Sequence, residues 1–239
     1  MKVSDITSRV HLLLNDLDGT RWTDSELVSW INDAQKLIAM VRPDASVSNS
    51  AITLAAGTKQ AIPTGSFRLL DVIRNLGSDG ATPGRAIRYV DREVLDSQNP
   101  NWHTDTASST IKHFVYDDRN PLVFYVYPPA SAGTRIEAMY SVAPAQLVYD
   151  STNSTTITTS LATDLAVPDI YLESVVNYVL YRAYSKDAEF AQNAQLASGY
   201  LQTVYSMLGI KTQKDVAFSP DLNSKGAMPS TAAIQAGGV

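Results

Sequence analysis

Apolar residues near the N-terminus recur at three- and four-residue spacing. Ile6, Val10, Leu13, Leu14 and Leu17 follow Ser4, a residue type suited to capping a helix start. Asp18-Gly19-Thr20 ends that run as a turn. Thr23 and Glu26 then form a capping box, in which hydroxyl and carboxylate each take one of the other's orphan backbone donors. Leu27, Trp30, Ile31, Ala34, Leu37, Ile38 and Val41 give the following helix one apolar face. Pro43 stops it, because the residue before a proline disfavours the helical region. The pattern predicts a helical hairpin.

From about Ser46 the period shortens to two. Ala51 to Leu54 and Lys59 to Ile62 read as short strands around an Ala55-Ala56-Gly57 turn. Phe67 to Leu76 reads as a strand closed by Gly77-Ser78-Asp79-Gly80, and Ile87 to Val90 as a further short one. Asp91 is placed to cap a short helix over Arg92 to Ser97. Ile111 to Tyr116 and Leu122 to Tyr127 are strands joined by Asp117-Asp118-Arg119-Asn120, with Pro128-Pro129 ending the second. Thr134 to Val142, alternating Ile136, Ala138, Tyr140 and Val142, is its expected hairpin partner. Residues 151–163 are a polar Ser/Thr segment, with a short strand expected at Thr156 to Thr158.

Helical spacing returns after Pro168. Ile170, Tyr171, Ser174, Val175, Tyr178, Val179 and Arg182 share a face that Leu172, Val176, Leu180 and Ala183 widen. A break at Lys186-Asp187 leads to a last helix, Ala188 to Leu208. Its apolar set is Phe190, Ala194, Ala197, Leu201, Val204, Tyr205 and Leu208, and Gly209 is its expected left-handed cap. Beyond Ile210 no period is sustained, which predicts extended chain. The organisation expected is α+β. Residues 1–48 and 165–210 supply two hairpins of one helical bundle, 49–164 a β-rich insertion domain, and 211–239 an extended C-terminal tail.

Composition narrows the function classes. Charged residues are 18% of the 239, below the roughly 25% usual in soluble domains. The 12 tyrosines fit either a Tyr-rich core or surface hidden against partners, where Tyr is enriched. A formal net charge of -5, with no run of Lys or Arg, argues against a sequence-independent nucleic-acid binder. Absence of cysteine removes disulfides, thiolate catalysis and cysteine-ligated zinc. No apolar stretch approaches the ~20 residues that span a bilayer, and no signal-peptide pattern opens the chain. These features predict a soluble protein made in the cytoplasm, with no membrane partner.

Candidate chemistry is sparse. His11, His103 and His113 form no HExxH or His-x-His pattern, and His103 near Asp105 is the one weak pairing. Asp16, Asp18 and Gly19 resemble the opening of a calcium loop, but Leu27 stands where the closing Glu is needed, so a helix–helix linker explains them better. Asp117 and Asp118 are better read as a hairpin turn than as a carboxylate pair. Gly77-Ser78-Asp79-Gly80 and Gly84-Arg85 lack the phosphate-loop pattern. Ser66, Ser109 and Ser131 lack a nucleophile elbow. The expectation is no catalytic residue, no metal ligand and no cofactor. Two features remain. Tyr181 and Tyr184 flank Arg182 and fall partly off the core face of their helix, and the three are subunit-interface candidates. The tail, with isolated Phe218, Leu222 and Met228, is a candidate strap that orders on a partner.

Three stretches carry a resemblance. They are Trp22-Thr23-Asp24-Ser25-Glu26-Leu27 with Trp30-Ile31-Asn32-Asp33-Ala34-Gln35; Ile62-Pro63 followed by Phe67-Arg68-Leu69-Leu70-Asp71-Val72; and Val167-Pro168-Asp169-Ile170-Tyr171 leading to Tyr181-Arg182-Ala183-Tyr184-Ser185-Lys186-Asp187-Ala188-Glu189. Together, over residues 5 to 210, they resemble the head-to-tail adaptor proteins of short-tailed bacteriophages, the tail tubular protein A type of portal adaptor. The resemblance implies a structural virion protein at the head–tail junction, in a closed ring of commonly about twelve copies. Its implied partners are the portal protein, reached by the C-terminal extension, and tail nozzle or tail tube proteins on the other face. DNA would pass through the central channel without sequence specificity. A virion-associated hydrolase and a helical protein-interaction scaffold are the alternative readings.

Overall fold

The computed structural model describes residues 1–187 and 191–218. It is an α+β protein in two compact units, residues 1–172 and the chain from Glu173 onward. In the first unit, α1 (Val3–Leu13) and α2 (Asp24–Val41) form the N-terminal hairpin. The α2 capping box is present, with the Thr23 hydroxyl accepting from the Glu26 N–H and the Glu26 carboxylate from the Thr23 N–H. Ser4 is not the cap of α1. That helix starts two residues earlier, at Val3 after Lys2, and the Asp5 carboxylate takes the Lys2 N–H at 2.9 Å. Its buried face is Val3, Ile6, Thr7, Val10 and His11. The helix closes before Leu14 and the chain turns at Asn15 with φ 53°, so Leu13 and Leu17 fall off that face into solvent.

The strand-rich region is a two-layer sandwich. One sheet has the order β1 (Val47–Thr53), β8 (Arg135–Val142), β3 (Ser66–Leu76), β4 (Pro83–Ala86). The other has β2 (Gly57–Ala61), β7 (Val123–Ala130), β6 (His113–Tyr116), β5 (Arg88–Tyr89). The expected β7–β8 hairpin is therefore absent, because the chain changes sheet between them, as it does between β1 and β2. Both crossings meet at one corner, where the Leu54 N–H donates to Thr134 O (2.8 Å) and the Gly133 N–H to Leu54 O (3.2 Å). Nor do Pro128 and Pro129 end β7. They sit where its pairing with β2 shifts register between Gly57 and Lys59, so no ladder donor is demanded of them.

Alternate residues explain the strength of the apolar run at β7. Phe124 and Val126, with Phe114 of β6, join Ile52, Leu69, Val72, Ile136, Ala138 and Tyr140 in the core between the sheets. Tyr125 and Tyr127, with Val115, face the other way, onto Leu95 of α3 (Arg92–Gln98) and Trp102. A strand buried on both faces loses its polar alternation and reads as a continuous apolar stretch.

Residues 154–161 form a helix, α4, and not the expected strand at Thr156–Thr158. Asn153 caps it, accepting from the Thr155 and Thr156 N–H groups. Thr158, Thr159 and Ser160 hydroxyls donate to carbonyls four residues back. The helix buries no residue, so it carries no apolar period to read.

The second unit is an antiparallel pair, α5 (Leu172–Lys186) and α6 (Ala191–Phe218). Ser174 meets Met207 at one end and Tyr184 stacks on Tyr200 at the other. Ala197, Val204 and Leu208 are buried on α6, whereas Ala194 and Tyr205 are exposed. Gly209 does not cap the helix. It has no left-handed φ, and α6 continues to Phe218. An interior Gly costs a helix about 1 kcal/mol relative to Ala, which weakens the element without ending it.

The ends of the sandwich are closed by carboxamides. Asn75, buried on β3, donates to Arg85 O and Ile111 O (2.8 Å each) and accepts from the Ile111 N–H (2.7 Å). Asn75→Ala would strand two buried backbone groups of Ile111 and leave the partly buried Arg85 carbonyl without this donor. We expect it to lower unfolding free energy by about 2–4 kcal/mol, read by urea denaturation, and a loss under about 1 kcal/mol would show the bonds are dispensable.

Candidate interaction surfaces

The residues with catalytic chemistry are each engaged in local structure. His11 Nε2 lies 3.0 Å from Asp24 Oδ1, joining α1 to the start of α2. The intervening loop is held by Asp16, whose carboxylate accepts the N–H groups of Thr20, Arg21 and Trp22 at 2.9–3.1 Å. Those bonds, that of Trp22 foremost, lower the Asp16 pKa. Gly19 in this loop has φ +62°, and a Cβ there would stand 3.1 Å from the His11 ring. The loop that resembles a calcium site is thus a packed linker with its acid already saturated.

His103 does not pair with Asp105. Its Nδ1 contacts the Thr58 hydroxyl at 2.8 Å and its ring stacks on Trp102 at 3.7 Å, while Asp105 accepts from Asn99. His113 stacks on Tyr127, and burial, followed by nearby Arg85, pushes its pKa down. Among the described residues no three His, Asp or Glu side chains stand together as metal ligands. No helix among them is long and apolar enough to cross a membrane.

Asp117 and Asp118 face different partners. Arg119 donates twice to Asp117 through its guanidinium, at 2.7 and 3.0 Å, and once through its backbone N–H. Asp118, in the β6–β7 turn, pairs with Arg68 of β3 at 3.0 Å. The Arg119 side chain first, then its N–H, holds Asp117 at about 2. A general acid needs the opposite shift.

What the described surface does offer is apolar area. A groove of about 450 Å³ lies between the end of α2, the start of β3 and the β6–β7 turn. Met40, Pro43, Phe67, Pro121 and Pro144 line it, with Lys36, Arg68 and Asp118 among them. Met40 is 71% exposed. Leu12 and Leu13 at the end of α1 and Leu17 in the loop after it are also exposed. Contiguous apolar surface such as the groove marks association sites.

The interface candidates of α5 are brought close together. Tyr181, Arg182 and Tyr184 are all half-buried, and Tyr178 meets the Tyr181 ring edge-on at 5.6 Å. Tyr184 is committed to Tyr200 of α6, the rings 5.6 Å apart and 9° from parallel. Burial first, then Tyr200, raises its pKa. Phe218 is the last residue of α6, and Leu222 and Met228 lie outside the described residues. The α2 groove had no signature in the sequence. Its lining comes from four separated segments, and its one local hint was Met40 and Pro43 at a helix end.

Asp117 supplies a pH test. Its folded pKa is depressed, so the Arg119 clamp is intact above the ordinary value of 3.8 and is lost as pH falls through about 2. A carboxylate NMR titration should find its midpoint near 2, and Arg119→Ala should move it back towards 3.8. A native midpoint at or above 3.8 would show the clamp does not form in solution.

Comparison with protein families matches residues 1–224 to the family described as SU10 adaptor protein. Comparison with curated proteins gives no match.

Proposed function

The chain belongs to the SU10 adaptor protein family, which makes it a structural adaptor of a bacteriophage virion, and on that premise we propose that it forms the ring joining portal to tail. In this reading the portal protein docks on one face and tail nozzle or tail tube proteins on the other. A channel passes DNA without sequence specificity. The observation that carries the reading is the family match, which runs through both units and into the C-terminal segment.

The surfaces support it. Apolar side chains are left open at the groove beside Met40 and at Leu12, Leu13 and Leu17. A ring needs two different complementary surfaces on every copy, since each contact is heterologous and must close. Tyr181, Arg182 and Tyr184 contribute to the contact between neighbouring copies, and Phe218, Leu222 and Met228 to portal docking. A segment that orders on its partner loses conformational entropy in doing so and can wrap a large surface in return. The net charge of -5 would repel DNA phosphates and so favour sliding over capture in the channel.

Negative-stain microscopy of the chain mixed with its phage's portal tests the assembly. A ring of density beneath the portal is expected, on the order of twelve copies for a closed cyclic assembly, and a lasting monomer in the presence of portal refutes the reading. A chain ending at Phe218 should keep its circular dichroism and melting temperature and lose portal docking. Normal docking of that truncation would remove Leu222 and Met228 from the contact.

Tyr181→Ala should weaken ring assembly while shifting the melting temperature little. Tyr184→Ala should also cost about 1 kcal/mol of stability, the worth of a stacked aromatic pair beyond its area. Ring assembly unchanged in both variants would exclude this patch.

A further inference from the structure

The four sheet edges of the sandwich are unequally protected. β4 begins with Pro83 and pairs with β3 through a register break, β5 is two residues long, and β2 carries a register break and a Lys at position 59. Short strands, proline, bulges and lysine are the devices that keep an edge from pairing with another chain. β1 has none of them. Val47-Ser48-Asn49-Ser50-Ala51-Ile52-Thr53 contains no charge, proline or glycine, and its pairing with β8 is unbroken over all seven residues.

The direction of its free groups follows from the ladder. Val142 donates to Ser46 O and Leu54 donates to Thr134 O, so the even-numbered residues from 46 to 54 turn their backbone groups towards β8. The N–H and C=O groups of Val47, Asn49, Ala51 and Thr53 therefore point away from the sheet, and they have no partner among the described residues. The side chains of these same four residues are exposed, whereas Ser48, Ser50 and Ile52 turn inward.

The chain itself contains a segment of matching length and pattern. Between Pro229 and Gly237-Gly238 lies Ser230-Thr231-Ala232-Ala233-Ile234-Gln235-Ala236, seven residues without charge, proline or glycine. Laid out as a strand, it would put Ser230, Ala232, Ile234 and Ala236 on one face and Thr231, Ala233 and Gln235 on the other. The first set suits the inward face beside Ile52, and the second suits solvent. The residues from Phe218 to Ser230 can span up to ~40 Å when extended.

We infer that residues 230–236 of a second copy add as a strand to the free edge of β1, linking neighbouring subunits by main-chain hydrogen bonds. The inference rests on the multi-copy adaptor reading and deepens it. The 230–236 segment and a receptive edge are two different, complementary surfaces on one chain, as head-to-tail closure requires. Main-chain pairing supplies affinity in such additions and the alternating side chains supply register.

The test uses two chains that can pair in one way only. The first, labelled with ¹⁵N, lacks residues 230–239 and keeps its β1 edge. The second is unlabelled and intact but carries Ala51→Pro, which removes an outward N–H and leaves the β8 ladder whole. Excess second chain should slow amide exchange of Asn49, Ala51 and Thr53 in the first by about tenfold or more, the equivalent of 1.4 kcal/mol. A heterodimer should appear in sedimentation. Unchanged exchange at all these amides overturns the inference.

Slow exchange in the intact wild-type chain that persists on dilution also overturns it, in favour of the chain's own edge. Protection that appears only with portal present, and equally with chains lacking 230–239, overturns it in favour of a portal strand. Portal docking is scored separately with the chain lacking 230–239, which retains Leu222 and Met228. Docking without β1 protection sinks this inference alone. Absence of docking with β1 protection sinks the portal assignment and leaves this contact standing.

Discussion

An irregular stretch of chain drawn into a protein interior brings N–H and C=O groups that no helix or strand will satisfy, and each must find a partner. Four buried carboxamides meet that demand in the first unit. Asn32 of α2 both donates to and accepts from the backbone of Leu147, and Gln35, one turn further on, accepts the Ala166 N–H. Gln60 bonds to Ala55 twice and to Gly57 once, closing the corner between β1 and β2. Asn75 does the same for Arg85 and Ile111. Each bond contributes about 1 kcal/mol net, but an unmet buried group costs about 1–3. Their main effect is therefore on which loop conformations are tolerated.

This division of labour decides what could be read from the chain alone. Elements whose order comes from apolar periodicity were legible: α1, α2, β3, β6 and α5 stand close to their expected positions. So was the capping box at Thr23 and Glu26, since it is a contact between near neighbours. The partner of β8 was not legible. Its alternation of Ile136, Ala138 and Tyr140 states that one face is buried, and says nothing of which strand lies alongside. The corner that sends β8 into the other sheet is made by Leu54, Gly133 and Thr134, residues about eighty positions apart in sequence, bonding through backbone. Main-chain contacts over that separation leave no mark in side-chain pattern. α4 failed for a related reason. Its order comes from Asn153 and hydroxyl-to-carbonyl bonds, and it has no buried face to generate a period.

The polar residues follow the same logic. Asp16, Asp79, Asp96 and Asp117 all have lowered pKa values, and in each the leading cause is a hydrogen-bond donor within six residues. They are acceptors for turns, kept ionised by the turns they hold. Sequence spacing reads such residues correctly, because the donors are local. It reads interaction surfaces poorly, because the groove at Met40, Phe67, Pro121 and Pro144 is assembled from distant segments. Tyr184 is intermediate. Its helix face was legible, but its stack on Tyr200 depends on how α6 aligns with α5.

The features left open at the described surface of the first unit are of two kinds. Apolar area at Met40 and at Leu12, Leu13 and Leu17 is non-directional, so it can hold a partner without defining where that partner sits. The outward groups of β1 are directional, and any strand added there is fixed in register by seven unbroken positions. Assembly of identical copies needs both properties, attraction to gather subunits and geometry to make every contact alike. A register error of one residue would exchange the two faces of the added strand and drive polar side chains towards Ile52. On an uncharged edge the alternation of the incoming segment is what discriminates, and Ile234 is its one large apolar residue. Specificity at such a contact depends less on its total affinity than on the penalty that single side chain suffers on the wrong face.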